Sequence, residues 1–134
     1  GYTPLMITEY CPMGVIVRDC KKDKRVAKCK ESIYALRNSK GDEFRVSQDI
    51  FCRSTIYNSN VTCMLDNLYE LHEIGINVLR LDFTLEDKET VKEVIEAYQE
   101  VLSNDYKLAT KATKLYNKLD EKGTTAGHYY KGVE

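Results

Sequence analysis

The chain has 134 residues, of which 43% are hydrophobic and 31% are charged, and its formal net charge is −1. This length suits one domain with one core, and so small a net charge excludes a strong overall field that would attract nucleic acid or an anionic membrane. No apolar run approaches the roughly 18 residues that a membrane-spanning helix needs, so we expect no membrane partner.

The first part of the sequence predicts one strand followed by irregular chain. Residues 5–10 form a short apolar run bounded by Pro4 and Pro12, and prolines commonly stand at the limits of a strand. Residues 11–30 show no sustained helical or strand period, so we interpret them as a loop. Three of the chain's cysteines fall in this loop.

A β-hairpin and a further strand are predicted next. Tyr34–Arg37 and residues 43–46 flank the turn-forming residues 38–42. Gly41 supplies the positive φ angle that such a turn requires. Residues 54–58 are rich in β-branched and aromatic side chains, which indicates a second core strand.

From residue 64 onward the apolar residues follow a helical period. Residues 64–74 place five apolar side chains on one stripe, and Gly75 stands where a C-terminal cap belongs. Residues 91–102 continue a second amphipathic helix. Before that helix, Thr84 and Asp87 resemble a capping box.

The remaining segments complete one predicted domain over residues 1–134. Residues 106–122 predict a third helix, and residues 124–132 predict coil or a short strand. We divide the domain into a cysteine-bearing strand, loop and hairpin region (1–63), a helix–strand–helix–helix region (64–123) and a tail (124–134).

Residues 76–83 predict a strand between the first two helices. Strands and helices that alternate with short connections predict an α/β fold of parallel βαβ units. On this strand Arg80 and Asp82 share one face. Two such charges form either a buried ion pair or, at the C-terminal ends of barrel strands, part of an active site. Arg80 and Asp82 are therefore candidate catalytic residues.

The five cysteines all precede residue 64, at Cys11, Cys20, Cys29, Cys52 and Cys63. Two interpretations are open. Cysteines placed where strands pass into loops suit a metal or cluster site. Free cysteines are also among the most often buried residues, so the same thiols can be reduced core residues. An odd number leaves at least one thiol unpaired, which favours the reducing cytoplasm.

A nucleophile–base pair for peptide hydrolysis is also conceivable. Cys11 or Cys52 would be the nucleophile, with His72 or His128 as the base. His72 lies in a predicted helix, where a packing or surface role is more common. His128 stands in a glycine-flanked tail, which suits contact with a ligand. The sequence has no His-Glu-x-x-His zinc helix and no Gly-x-Ser-x-Gly elbow.

Several segments resemble, in order and spacing, the collagenase-like peptidases, family thirty-two of the unknown-mechanism class. They are residues 9–14, 29–36, 51–59 and 63–76. Residues 127–133 are similar to a Gly-His-aromatic-aromatic-basic-Gly pattern near the C-terminus of larger members. The likeness covers residues 5–102 and 124–134.

The resemblance implies a βα (TIM-like) barrel, with the cysteine-bearing loop and the hairpin inserted into it. A barrel takes about 250 residues, so we expect this chain to be the C-terminal part of a larger peptidase that is inactive alone. Its partners would be the missing N-terminal portion of the parent chain and a peptide substrate. Exposed sheet edges would favour self-association.

Some relatives hold a four-iron cluster on four cysteines and act in oxygen-independent hydroxylation of quinone precursors or RNA bases. The resemblance assigns three ligands to Cys11, Cys29 and Cys63. The family's fourth position is Arg25 here, so Cys20 or, as a substitute, Cys52 would complete the set. A [4Fe–4S] cluster or zinc, with an RNA substrate, is the second hypothesis. A structural or binding domain with buried thiols is the third.

Overall fold

A computed structural model describes residues 1–16, 34–127 and 129–130. The elements in chain order are strand β1 (Tyr2–Thr8), helix α1 (Pro12–Ile16), strands β2 (Tyr34–Arg37), β3 (Glu43–Gln48) and β4 (Ser54–Thr62), a 3-10 turn (Leu65–Asn67), helices α2 (Leu68–Glu73), α3 (Lys88–Ser103) and α4 (Thr110–Asp120), and strand β5 (Thr124–Thr125). Two compact units are present, one formed by Thr3–Ser59 and the other by Gly1–Tyr2 with Asn60–Glu134. The single domain over residues 1–134 stays a prediction.

The strands do not form the parallel βαβ units of a TIM-like barrel, so the predicted fold class was wrong. In the described part of the chain the sheet has the order β1–β4–β3–β2, and β5 pairs with β4. β3 pairs antiparallel with both β2 and β4, whereas the two-residue β5 lies parallel to β4. The physical reason is local, because short hairpin connections between successive strands impose antiparallel pairing.

The strand predicted at residues 76–83 is also absent from the described structure. This segment belongs to neither a helix nor a strand, and it connects α2 to α3 directly. A strand requires a neighbouring strand to satisfy its backbone groups, and the period-two alternation of side chains does not supply one. The region between α2 and α4 therefore contains no βαβ unit.

The hairpin predicted at residues 34–46 is confirmed. Four residues of β2 pair with four of β3. In the turn, Asn38 Oδ1 accepts hydrogen bonds from the backbone N–H groups of Lys40 and Asp42 at 2.9 and 3.0 Å. Gly41 has a φ of 92°, which glycine adopts without a steric penalty.

A second hairpin, which the sequence analysis did not predict, joins β3 to β4. Asp49 organises its turn, since its Oδ1 accepts from the N–H groups of Phe51 and Arg53 at 2.8 and 3.0 Å. Arg53 Nε also donates to Asp49 Oδ2 at 2.7 Å. Cys52 takes a φ of 63° within this turn. The available signal was Asp49 itself, because aspartate side chains commonly bond to the backbone two residues on.

The helical stripe predicted at residues 64–74 is confirmed in α2 and the preceding 3-10 turn, except at Ile74, which caps the helix and is 67% exposed. Leu65, Leu68 and Leu71 are buried on this stripe. Gly75 ends the helix with a φ of 85°, and its N–H donates to the carbonyl oxygen of His72 at 2.9 Å. The glycine therefore has the predicted capping position.

Helix α3 begins at a different cap from the predicted box. Asp87 is the N-cap, and its Oδ1 accepts from the N–H of Thr90 at 2.7 Å. The backbone N–H of Thr84 instead donates to Glu86 Oε2 at 2.6 Å. Thr84 therefore lies in the connection before the helix.

Helix α4 begins at Thr110, four residues later than predicted. The reason is the turn before it, where Asp105 and Tyr106 have φ angles of 56° and 59°. Right-handed helix cannot continue through left-handed residues.

The three helices share one core. Its buried members are Cys63, Leu65, Leu68, Leu71, Ala97, Val101, Ala112 and Leu115. Alanines on α3 and α4 allow the two helices to approach closely, while the leucines of the 65–71 segment fill the space beside them. Among the described residues, no helix has the length and apolar character needed to cross a membrane.

Candidate functional site

The outer side of the 65–73 segment carries a group of polar contacts with parts of the chain that are distant in sequence. Because the leucines of this segment turn into the core, the intervening polar side chains are left on its outer side. We call this group the α2 surface; it comprises Asp66, Asn67, Glu70, His72, Tyr106, Tyr116, Tyr129 and Tyr130.

Tyr130 joins the tail of the chain to the α2 surface. Its Oη donates to Glu70 Oε2 at 2.8 Å and accepts from Asn67 Nδ2 at 2.5 Å. The ring of Tyr129 packs edge-to-face on that of Tyr130, with the centroids 5.0 Å apart. The hydrogen bond to Glu70, followed by burial and the charge of Glu70, raises the pKa of Tyr130. The hydroxyl is therefore held as a neutral donor.

Tyr116 of α4 makes an equivalent contact with Asp66. Its Oη donates to Asp66 Oδ2 at 3.2 Å. The negative charge of Asp66 and this hydrogen bond raise the pKa of Tyr116. Two carboxylates on the α2 surface are thus each bound by a tyrosine hydroxyl, and each keeps acceptor capacity for further donors.

His72 is engaged with an aromatic residue. Its ring stacks on that of Tyr106 with the centroids 4.4 Å apart, and its Nδ1 lies 3.0 Å from Tyr106 Oη. The contact connects α2 to the turn before α4. It supports the packing role that the sequence favoured for His72. The general-base role of His72 stays a prediction.

Cys63 is a core thiol in the described structure. Its side chain is buried, with the residue 8% exposed, and burial raises the pKa of its thiol. The hydroxyl of Tyr98 interacts with the thiol, and it accepts a hydrogen bond from the N–H of Met64 at 3.3 Å. Burial is also the main cause that raises the pKa of Tyr98. A raised pKa disfavours the thiolate, which is the form that attacks carbonyls and binds metals.

Of the other predicted site residues, the structure describes only some. Cys11 and Cys52 are free, half-buried thiols, the first between β1 and α1 and the second in the β3–β4 turn. Cys20, Cys29 and His128 lie outside the described residues. Within residues 1–16, 34–127 and 129–130, no three His, Cys, Asp or Glu side chains are grouped as a metal site. The described residues alone do not assemble a ligand set, so we derive no chemical step through a metal.

Arg80 and Asp82 form an ion pair at the surface. Arg80 Nη2 lies 3.0 Å from Asp82 Oδ2, and the two side chains are 84% and 64% exposed. A buried ion pair, one of the two predicted alternatives, is wrong, because the described structure contains no strand at residues 76–83 that would bury these side chains. Exposed ion pairs contribute little to stability. The catalytic roles of Arg80 and Asp82 stay predictions.

Sequence reasoning missed the tyrosines of the α2 surface. A usable signal existed, since residues 63–76 and 127–133 both carry the family resemblance, and the structure brings parts of these two segments together at Tyr130, Asn67 and Glu70. The surface offers carboxylate oxygens and aromatic faces. Such groups bind hydrogen-bond donors and cations.

Comparison with known proteins gives one match. A sequence model of peptidase family U32 matches residues 11–133. No curated protein and no solved structure matches significantly. The matched range covers most of the chain, including both segments that meet at Tyr130, and it agrees with the resemblance to collagenase-like peptidases. The chain therefore belongs to peptidase family U32.

Proposed function

We propose that the chain acts in proteolysis as a segment of a collagenase-like peptidase, that it does not cleave peptides alone, and that it binds the peptide at the α2 surface. The family match carries the proteolytic assignment. The α2 surface supports the binding role, because Asp66 and Glu70 can accept from peptide N–H groups or basic side chains.

The raised pKa of the Cys63 thiol argues against Cys63 as a nucleophile, since a protonated thiol is a poor nucleophile. The direct experiment incubates residues 1–134 with gelatin and with fluorogenic collagen-derived peptides. We expect no cleavage. Hydrolysis that is lost in Cys11→Ser or Cys52→Ser would contradict this part of the proposal and identify the nucleophile.

Peptide binding is tested separately from cleavage. Titration of a collagen-derived peptide containing lysine and arginine, followed by the intrinsic tyrosine fluorescence, should show saturable binding. Glu70→Gln should weaken it by about tenfold, because a charge-assisted hydrogen bond is lost. Glu43→Gln changes an exposed carboxylate on β3 and is the matched control. Binding that is unaffected by Glu70→Gln would remove the α2 surface from the proposal.

The buried-thiol hypothesis is the second candidate, and the position of Cys63 favours it. We also propose a reducing, cytoplasmic location, which the free thiols of Cys11, Cys52 and Cys63 support. A thiol reagent should label Cys63 slowly in the folded protein and rapidly after unfolding. Rapid labelling of Cys63 under native conditions would contradict its core role.

The metal hypothesis on Cys11, Cys29, Cys63 and either Cys20 or Cys52 is decided by elemental analysis of protein purified without oxygen. About four irons and four sulfides per chain would indicate a [4Fe–4S] centre and the hydroxylation function. Stoichiometric zinc would indicate a zinc site. Loss of the metal in Cys11→Ser would support the ligand assignment.

A further inference from the structure

The segment between α2 and α3 exposes backbone groups that have no hydrogen-bond partner in the described part of the chain. Among the described residues, no backbone N–H or C=O of residues 77–83 makes a hydrogen bond. Residues 77–83 contain neither a turn nor a bend, and Val78 is 85% exposed. An exposed, straight stretch of unpaired backbone is a template for pairing with another strand.

The contacts and burial of the side chains agree with an extended conformation of residues 78–83. Arg80 Nε and Nη2 both bond to Asp82 Oδ2, at 3.1 and 3.0 Å. Side chains two residues apart lie on the same face of an extended strand. Leu81 and Phe83, which belong to the opposite face, are half-buried. One face is therefore charged and exposed, and the other is apolar.

The two edges of the segment differ. A Cβ atom built on Gly1 would lie 2.0 Å from the carbonyl oxygen of Asp82, so Gly1 closely approaches the edge to which that carbonyl points. Alternate residues of an extended chain direct their backbone groups to opposite edges. Leu79, Leu81 and Phe83 therefore present their N–H and C=O groups to the other edge.

We propose that residues 78–84 of two copies of this chain pair antiparallel at that edge, about a two-fold axis at Leu81. Leu81 then exchanges two hydrogen bonds with Leu81 of the second copy, and Leu79 pairs with Phe83 of the second copy in the same way. This assigns the predicted self-association to a specific surface.

The charges identify a second copy as the occupant. In this register Arg80 stands opposite Asp82 of the second copy, and the reverse pair forms on the other side of the axis. Both are non-hydrogen-bonded pairs, in which facing side chains approach most closely. A parallel, in-register copy would instead place arginine opposite arginine. The order Arg-Leu-Asp is thus self-complementary for antiparallel pairing.

Charge reversal tests the register. Sedimentation velocity over a concentration series should show a monomer–dimer equilibrium for the native chain. Arg80→Asp and Asp82→Arg each place like charges opposite one another at two positions, so each should weaken dimerisation by about tenfold or more. The double variant Arg80→Asp/Asp82→Arg restores opposite charges and should recover the native dimer. Because both side chains are exposed, the fold should be unchanged, and circular dichroism checks this.

Three controls make the test specific. Arg37→Asp reverses a charge in the exposed hairpin pair with Glu43 and should leave dimerisation unaltered. Leu81→Pro removes a central donor and should abolish the dimer. Val78→Pro makes the same change at a residue whose N–H points to the opposite edge, and it should preserve the dimer. The proposal would be overturned by a native chain that stays monomeric at every concentration, or by a double variant that does not recover the dimer. Equal loss of dimerisation in Val78→Pro and Leu81→Pro would also overturn it.

Discussion

Tyr130 donates a hydrogen bond to Glu70 at 2.8 Å, across 60 positions of sequence. The bond attaches the tail to α2, and Asn67 supports it by donating to the same hydroxyl. Both ends of this contact lie in segments that carry the family resemblance. The contact therefore links two segments within the match to peptidase family U32 that are far apart in the chain.

Tyr130→Phe should loosen the tail while leaving the core intact. The substitution removes the hydroxyl that bonds to Glu70 and Asn67 but keeps the ring that packs on Tyr129. Hydrogen exchange at residues 124–127 should become faster, and exchange in α3 should not change. Tyr129→Phe is the matched control, because it keeps the ring–ring contact and the Tyr130 hydroxyl. Equal exchange in Tyr130→Phe and the native chain would show that the contact does not hold the tail.

Tyr98→Phe should lower the free energy of unfolding by about 1–3 kcal/mol, because it leaves the N–H of Met64 without its acceptor in a buried site. Urea unfolding measures the change. Tyr69→Phe removes a hydroxyl from a residue that is 55% exposed and should have little effect. Equal stability of the two variants would mean that water satisfies the Met64 N–H.

Leu68→Ala should lower the free energy of unfolding by about 2–5 kcal/mol, since it creates a cavity in the core shared by α2, α3 and α4. Leu102→Ala removes the same atoms from the exposed side of α3 and should cost much less. Thermal or urea unfolding compares them. Similar losses at the two positions would contradict the core assignment.

Stability should decrease at alkaline pH because of Cys63 and Tyr98. Burial raises the pKa of each above its ordinary value, which is 9.0 for the thiol and 10.0 for the phenol. Above those values the unfolded chain releases protons that the folded chain retains. The stabilising contribution is therefore complete below about pH 9 and is lost as the pH rises through the folded-state pKa values.

Urea unfolding at a series of pH values from neutral to about pH 10.5 measures this dependence. Cys63→Ala should reduce the slope, because the thiol no longer titrates, while Cys52→Ala is the control at a half-buried thiol in the β3–β4 turn. A slope that is unchanged by Cys63→Ala would assign the alkaline loss to Tyr98 and other groups.

The sequence predicted the elements whose signals are local. The hairpin at residues 34–46 follows from its turn residues, and the α2 stripe with Gly75 at its end follows from the spacing of its leucines. The start of α4 was predicted too early, because aspartate commonly adopts left-handed angles but nothing in the sequence pattern marks Tyr106 as left-handed. Asp49 also indicates a turn, because aspartate side chains commonly bond to the backbone, but the turn between β3 and β4 was not predicted.

Pairing between segments distant in sequence required the tertiary structure. Residues 76–83 alternate like a strand, yet the described structure pairs them with no other strand, so the parallel fold inferred from them was wrong. The contacts of Tyr130 with Glu70 and of Tyr98 with Met64 likewise depend on which elements meet.

The sequence by itself therefore determined the family, the turns and the amphipathic helices, because composition and spacing specify local conformation and carry motifs. The tertiary structure alone decided the pairing of β1 and β5 with β4, the burial of Cys63 and the exposure of the Arg80–Asp82 pair. These properties depend on the free energy of packing and hydrogen bonding between distant segments, which no local pattern contains.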